Sequence, residues 1–514
     1  MFRHNRGRTV TGALAIGAAG LVALSACGSP AGSGDPTGDA PQNLVVGVTT
    51  DVDTLLPWTA TQFQAINVLQ NLYGTLTEFD DDLAVVPGLA ENWETSDDGT
   101  TVTFHLREGV TFADGSDFDA EDVIASYTAI KDEATAAVSA ANLAAVEEMT
   151  AVDDHTVEFS LSAPDAALFS KLAVVTTAIL PSDADLDALE SEPNGTGAFV
   201  FDDRAANESL TLSANPDHWG GEPEVDAVEF RVIPDQSAIV SALQAGSVQM
   251  AVFDDQLVSD TIGGTVQVAE TPQLSYHALQ INARTAPLDD ADVRLAIACA
   301  IDRQEVLDTA ALGAGEVTGP ITSPAFKSDP AARPCPEADI DAAKQHLADA
   351  GYEDGLTLHA IVMQDGYSTA VAEAENIQAQ LAEVGITLEI EPLESGTYVD
   401  RWVAADYELA VALNGGQPDP DAMYGRYFTS GGNLNTVAGY SSDSLDDLFA
   451  QGKAEQDPDA RVAIYDEIAA ELEDQAAWVW LFTSYNYTAT AENVAGFTPM
   501  ANGSLQNLRN VTIQ

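Results

Sequence analysis

The sequence predicts an α/β protein of two lobes, on three observations. Removing a leader from the 514 residues leaves about 488, more than one hydrophobic core organises, so the chain divides into two or three lobes. Short β-branched runs alternate with amphipathic helical stretches, the pattern of packed strand and helix layers. That alternation starts afresh beyond Asp290, which marks a second lobe.

The N-terminus is set apart from the fold. Arg3, Arg6 and Arg8 precede an apolar run from about 10 to 24, and small residues Ser25 and Ala26 follow, the three-part layout of a secretory signal. Gly12, Gly17 and Gly20 interrupt a run already too short for ~30 Å of hydrocarbon, and no later stretch reaches about 18 continuous apolar residues. Leu24-Ser25-Ala26-Cys27 followed by Gly28 resembles the lipobox of bacterial lipoproteins. That resemblance implies acylation of Cys27 and a mature protein anchored by lipid at the outer face of the cell membrane. Residues 28–42, rich in Gly, Ser, Pro, Asp and Ala, cannot bury a core and read as a flexible tether.

The first lobe opens with a buried strand at 44–48, a turn at Pro57-Trp58 and a helix over 64–73. The run 101–106 alternates faces after the turn Asp97-Asp98-Gly99, and 153–161 repeats the pattern, giving two hairpin strands of one small subdomain. Asp119 stands as N-cap of a helix carrying Val123, Ile124, Tyr127 and Ile130 on one side. A strand at 228–232, a helix over 237–244 stopped by Gly246 and a strand at 276–281 follow. The second lobe has helices over 293–303 and up to Gly351, a strand at 357–362, a helix closing at Gly385, and strands at 387–390 and 409–413. Helices over 444–454 and 460–474 precede an apolar strand at 478–482, and the polar tail is expected to return to the first lobe.

Eighty-two acidic residues face 19 basic ones, a net charge of −63. Nucleic acid and anionic lipid are poor partners, because phosphate binding needs the Lys and Arg clusters missing here. The surplus is spread along the chain, so it reads first as a solvated acidic surface and second as a field that steers cationic ligands. Cys299 and Cys335 remain for an oxidising compartment. A bridge between them is worth about 3–4 kcal/mol in the chain-entropy model; the alternative is a buried, unbridged Cys299 in an apolar helix.

Several strings resemble one family. Val86-Pro87-Gly88-Leu89-Ala90-Glu91-Asn92-Trp93-Glu94, Phe104-His105-Leu106-Arg107, Val110-Thr111-Phe112-Ala113-Asp114-Gly115 and Ala120-Glu121-Asp122-Val123 are similar to the signature region of extracellular solute-binding proteins of ABC importers. The class is the one that includes the dipeptide and oligopeptide binders, also called family 5. Gly195-Thr196-Gly197-Ala198-Phe199, Asn215-Pro216-Asp217-His218-Trp219, Ala300-Ile301-Asp302-Arg303 and Asp419-Pro420-Asp421 extend the resemblance over essentially the whole mature chain. It implies the two-lobed periplasmic-binding-protein type II fold, with hinged lobes and a subdomain inserted in the first. The boundaries expected are 43–80, 195–282 and 483–514 for the first lobe, 81–194 for the insertion and 283–482 for the second lobe. It further implies a binding protein, not an enzyme, that captures peptides or similar small solutes by lobe closure for an ABC permease and its ATPase subunits. A monomer without cofactor is expected.

The resemblance breaks at one point. Dipeptide and oligopeptide binders place an Asp, which pairs with the peptide's free amine, where this chain has Gly416 in Asn414-Gly415-Gly416-Gln417-Pro418-Asp419. Either another acid such as Asp419 or Asp421 takes that role, or the ligand is an oligosaccharide, opine or metal chelate. Candidate ligand contacts are Trp58, Trp402, Asn414, Gly416, Gln417, Asp419 and Asn435, aromatic faces and polar groups of the kind a solute cleft uses. The seven histidines are scattered with no zinc-ligand spacing, so no metal site is expected. No G-x-S-x-G elbow or phosphate-binding loop occurs, which leaves a secreted hydrolase without a motif. A sensory lipoprotein that binds solute for a signalling partner is the remaining alternative.

Overall fold

The computed structural model describes residues 42–514; the signal, Cys27 and the tether up to residue 41 lie outside the described residues. The first lobe grows from the strand Asn43–Val48, whose Leu44 and Val46 turn one face into the core. It pairs in parallel with Ala227–Val232 on one side and Met250–Phe253 on the other. Antiparallel strands Ser209–Ala214 and Phe199–Ala205 extend the sheet outward. The face bearing Leu44 shares one core with Phe199 of the same sheet and with Phe104 and Phe159 of the segment 81–194. Helix Gln236–Gln244 covers the other face, packing Ile239, Val240 and Leu243 near Phe253 and Tyr487.

Residues 90–161 build a separate antiparallel sheet, ordered Ala90–Thr95, Thr101–Leu106, Thr156–Leu161, Val146–Asp153. The two alternating runs noted in the sequence therefore lie side by side, with Thr101 opposite Ser160. Helix Ala120–Lys131 starts in a capping box: Asp119 accepts from the Glu121 N–H, and Asp122 accepts from the Asp119 N–H. Asp235, Asp290, Asp302, Asp339 and Asp457 cap other helices, so part of the acidic surplus satisfies helix starts. Asp302 also corrects an expectation. The helix expected over 293–303 ends at Ala300; Ile301 and Asp302 are extended, and Asp302 accepts from Glu305 N–H to open Arg303–Ala310. A short carboxylate gains more by capping orphan N–H groups than by sitting inside a helix.

In the second lobe Ile386–Leu393, Leu356–Met363 and Leu409–Asn414 run parallel, with Tyr276–Ile281 antiparallel beside the last. All six residues of Tyr276–Ile281 are buried because both sheet faces are covered. One cover is the cluster around Ile297 and Ile377, the other an aromatic cluster around Tyr424, Phe428 and Trp478. Cys299 and Cys335 form a disulfide, with Cα atoms 5.1 Å apart.

The strand Trp478–Thr490 joins the lobes. Its first half pairs with Tyr276–Ile281 and Gly315–Val317, its second with Met250–Phe253 and Gln267–Pro272. Residues 273–275 cross beside it, and the Gln273 N–H donates to the Ser484 carbonyl at 2.9 Å. The expected boundary at 282 therefore moves to 273–275, since Tyr276–Ile281 pairs with Leu409–Asn414 of the second lobe. Its apolar run carries no mark of which sheet it joins. The tail returns to the first lobe, where Leu505, Leu508 and Val511 enter the core and Arg509 meets Glu78 at 2.8 Å. No helix among the described residues is long and apolar enough to cross a membrane.

Candidate solute cleft

A cleft of about 940 Å3 opens where the carboxyl ends of the first lobe's parallel strands face the second lobe. Loops diverge at that end of an α/β sheet and leave a crevice. Thr49 follows Asn43–Val48, Asp254 follows Met250–Phe253, and Gln236 opens the helix after Ala227–Val232; all three line the cleft. Helix Phe63–Leu72 adds Phe63, Gln64 and Asn67, and the crossing segments add Gln273, Ser275 and Asn486. Residues 415–418 close the second-lobe side.

Several polar groups are already held in place. Gln273 Nε2 donates to Asn486 Oδ1 at 2.9 Å, the Ser275 hydroxyl donates to Gln273 Oε1 at 2.7 Å, and the Ser504 hydroxyl donates to Gln70 Oε1 at 2.9 Å. The Phe63 ring is 46% exposed and offers an apolar face. Against the net charge of −63, the cleft is nearly neutral: Asp254 is the one ionisable side chain among the described residues that line it.

The structure separates the sequence-derived candidates. Gly416 and Gln417 line the cleft. A Cβ at Gly416 would stand 1.9 Å from the Leu274 carbonyl oxygen, so the backbone closes that position to an Asp side chain. Trp58 does not line the cleft; it is 2% exposed in the first-lobe core and donates its indole N–H to the Ala178 carbonyl. Trp402 donates to Gln280 Oε1 at 2.6 Å, and Gln280 donates to Asn414 Oδ1 at 3.1 Å, a chain within the second lobe. Asn435 accepts from Arg284 and donates to the Tyr427 carbonyl, stapling a loop. Asp419 is 3% exposed and bound bidentately by Arg461 at 2.7 and 3.0 Å. Apolar and charged side chains read alike for core and cleft in sequence; burial and partners separate them. Asp254 and Gln236 were not singled out, although each leaves the carboxyl end of a parallel strand, the signal that could have found them.

Asp421 is buried beside that pair, and its nearest cation, Lys453, lies 3.6 Å away, too far for a hydrogen bond. Burial raises its carboxyl above the usual carboxylate range. The protonated acid suits the native state, so its contribution is present below the unfolded carboxyl's pKa and is lost as pH rises through the raised native value. Asp421→Asn is therefore expected to stabilise the protein at pH 7 by on the order of 1 kcal/mol. Melting curves across pH should show that gain vanish near pH 4; an equal gain at both pH values would contradict the assignment.

The model of the bacterial extracellular solute-binding proteins, family 5, matches residues 84–435. The chain is 28% identical over 511 residues to the dipeptide-binding protein of Escherichia coli (strain K12), covering 92% of this chain and 93% of that one. HbpA2 from Haemophilus parasuis shares the fold with a TM-score of 0.84 at 24% identity, over 92% of this chain and 100% of that one. The periplasmic binding protein DppA from Helicobacter pylori, solved in complex with the peptide STSA, matches at 26% identity and TM-score 0.68, over 92% of this chain and 98% of that one. The fold is thus the type II periplasmic-binding-protein fold, and these family relatives bind substrates and are not enzymes. With more than half its length under the family model and the cleft between its lobes, this chain belongs to the bacterial extracellular solute-binding proteins, family 5.

Proposed function

We propose that the chain is the lipid-anchored receptor of an ABC importer, which captures a peptide or similar small solute by lobe closure and passes it to the permease. The observation that carries this reading is the cleft bounded by both lobes beside their two crossing segments. Two narrow crossings are where φ and ψ changes let lobes rotate as bodies, the hinge mode of closure. Anchoring through Cys27 would keep the receptor near the permease.

A thermal-shift screen of residues 28–514 against peptide, sugar, amino-acid and metal-chelate libraries tests the reading. A ligand at about 100 times its Kd adds about 2.7 kcal/mol, and small-angle scattering should show compaction with the same ligand. No shift from any class, with unchanged scattering, would sink the receptor reading. Cys27→Ser is expected to release the protein from the membrane fraction, and retention would refute the anchor. A solute without a free carboxylate is the second reading, favoured because no Lys, Arg or His lines the cleft among the described residues.

A further inference from the structure

We infer that the ligand is held by a cationic head, an ammonium or guanidinium group gripped by Asp254, and that the cleft rejects solutes of net negative charge. The inference rests on the receptor reading and names the substrate class of the same cleft. Asp254 is exposed at the end of Met250–Phe253 and makes no hydrogen bond or ion pair with the described residues, so its carboxylate is free for a ligand. Gln236, the first residue of the helix that follows the parallel strand two places away, also lines the cleft, and its buried Oε1 has no partner among the described residues. Both groups are acceptors and want N–H donors. A buried acceptor left unpaired is costly, so a donor-rich ligand head that meets Asp254 can satisfy Gln236 Oε1 as well.

The opposite sign has little to meet. None of the described lining residues is Lys, Arg or His. The start of Phe63–Leu72 lacks a side-chain cap beside the cleft, but a helix start carries only about half a unit of positive charge. Asp254 holds a full negative charge, and the chain's net −63 adds a field that draws cations and repels anions. The full charge and the field outweigh the half dipole. Residues 415–418, facing from the second lobe, add no charge, so the single ionic contact comes from the first lobe. The ligand can therefore meet its counter-charge before the lobes close, with the neutral second-lobe loop closing over the remainder.

The experiment uses one library of matched solutes, alanine peptides and hexoses, each with a free amine, with the amine acetylated, with a free carboxylate and with the carboxylate amidated. Wild type and Asp254→Asn are screened in parallel by melting, and hits are titrated calorimetrically. Asp254 touches no partner, so Asp254→Asn should melt as wild type does without ligand. The hits expected are amine-bearing and not net anionic, with affinity falling about 10- to 100-fold in Asp254→Asn and on acetylation, as loss of a charge-assisted bond predicts. Asp254→Glu should recover part of the loss. Hits that are neutral or anionic, or that bind both proteins equally, overturn the cationic clamp and leave the receptor reading standing. An absence of hits in both proteins overturns the clamp, because the library holds the ammonium-bearing solutes it requires; the receptor reading falls only if the wider screen gives no shift and the scattering is unchanged.

Discussion

Arg461→Met is expected to destabilise the protein by about 3–5 kcal/mol, because it strands a buried carboxylate. Arg461 donates to both oxygens of Asp419, to the Gly452 carbonyl at 2.9 Å and to the Tyr465 hydroxyl at 3.3 Å. Its guanidinium carbon also lies 5.0 Å from the Tyr465 ring centre and 5.3 Å from that of Phe326. Burial works to lower its pKa, and the Asp419 charge overrides this, holding the guanidinium above the ordinary arginine range. Without Arg461, Asp419 would sit desolvated next to Asp421, a second buried acid. The double variant Asp419→Asn with Arg461→Met should recover part of the loss, since no charge is then left without its partner. Denaturant unfolding of the two single variants and the double one measures this. A cost below about 1 kcal/mol for Arg461→Met would place the pair among solvated ones and contradict the burial argument. Ligand affinity of the double variant should stay near that of wild type, because Asp419 is committed to the pair and does not line the cleft.

Replacing Cys299 and Cys335 together by Ser is the second large effect, a loss of about 4 kcal/mol in the chain-entropy model for a bridge of sequence separation 36. The disulfide also holds the loop that carries Arg333 against the buried strand Trp478–Thr490. Arg333 donates to the Thr318 carbonyl at 2.8 Å and lies 3.4 Å from Glu473, while Arg303 donates to the Trp480 and Cys335 carbonyls. Burial and the neighbouring Arg333 push Arg303 down to about 10, so the two cations are crowded as well as buried. Loosening the loop would let water reach them. Melting with and without reductant gives the check: wild type should lose stability when reduced, and the double Ser variant should be indifferent. Equal response in both proteins would mean that the bridge contributes nothing.

Much of the architecture was legible from residue order. The Leu44 to Val48 run, the alternation over 101–106 and 153–161 and the Asp119 cap are local signals, and local signals survive in sequence because they act between residues a few positions apart. The string around Trp93, Phe104 and Gly115 carried the resemblance that the family match confirms. The same locality explains the errors. Asp302 broke a helix that apolar periodicity joined, and a competing cap is visible only when weighed against that periodicity.

The cleft was legible only in part. Its second-lobe loop, with Gly416 and Gln417, stood out as the point where the resemblance breaks. Asp254 and Gln236 did not, in a chain with 82 acids where one more carries no local distinction. Their standing comes from contacts they lack, just as that of Asp419 comes from the Arg461 it has 42 positions away. Class, lobes and element order are written in patterns of neighbouring residues. Which charges are paired, which strand crosses and which acid is left facing the cleft depend on partners distant in the chain, which only packing brings within hydrogen-bond reach.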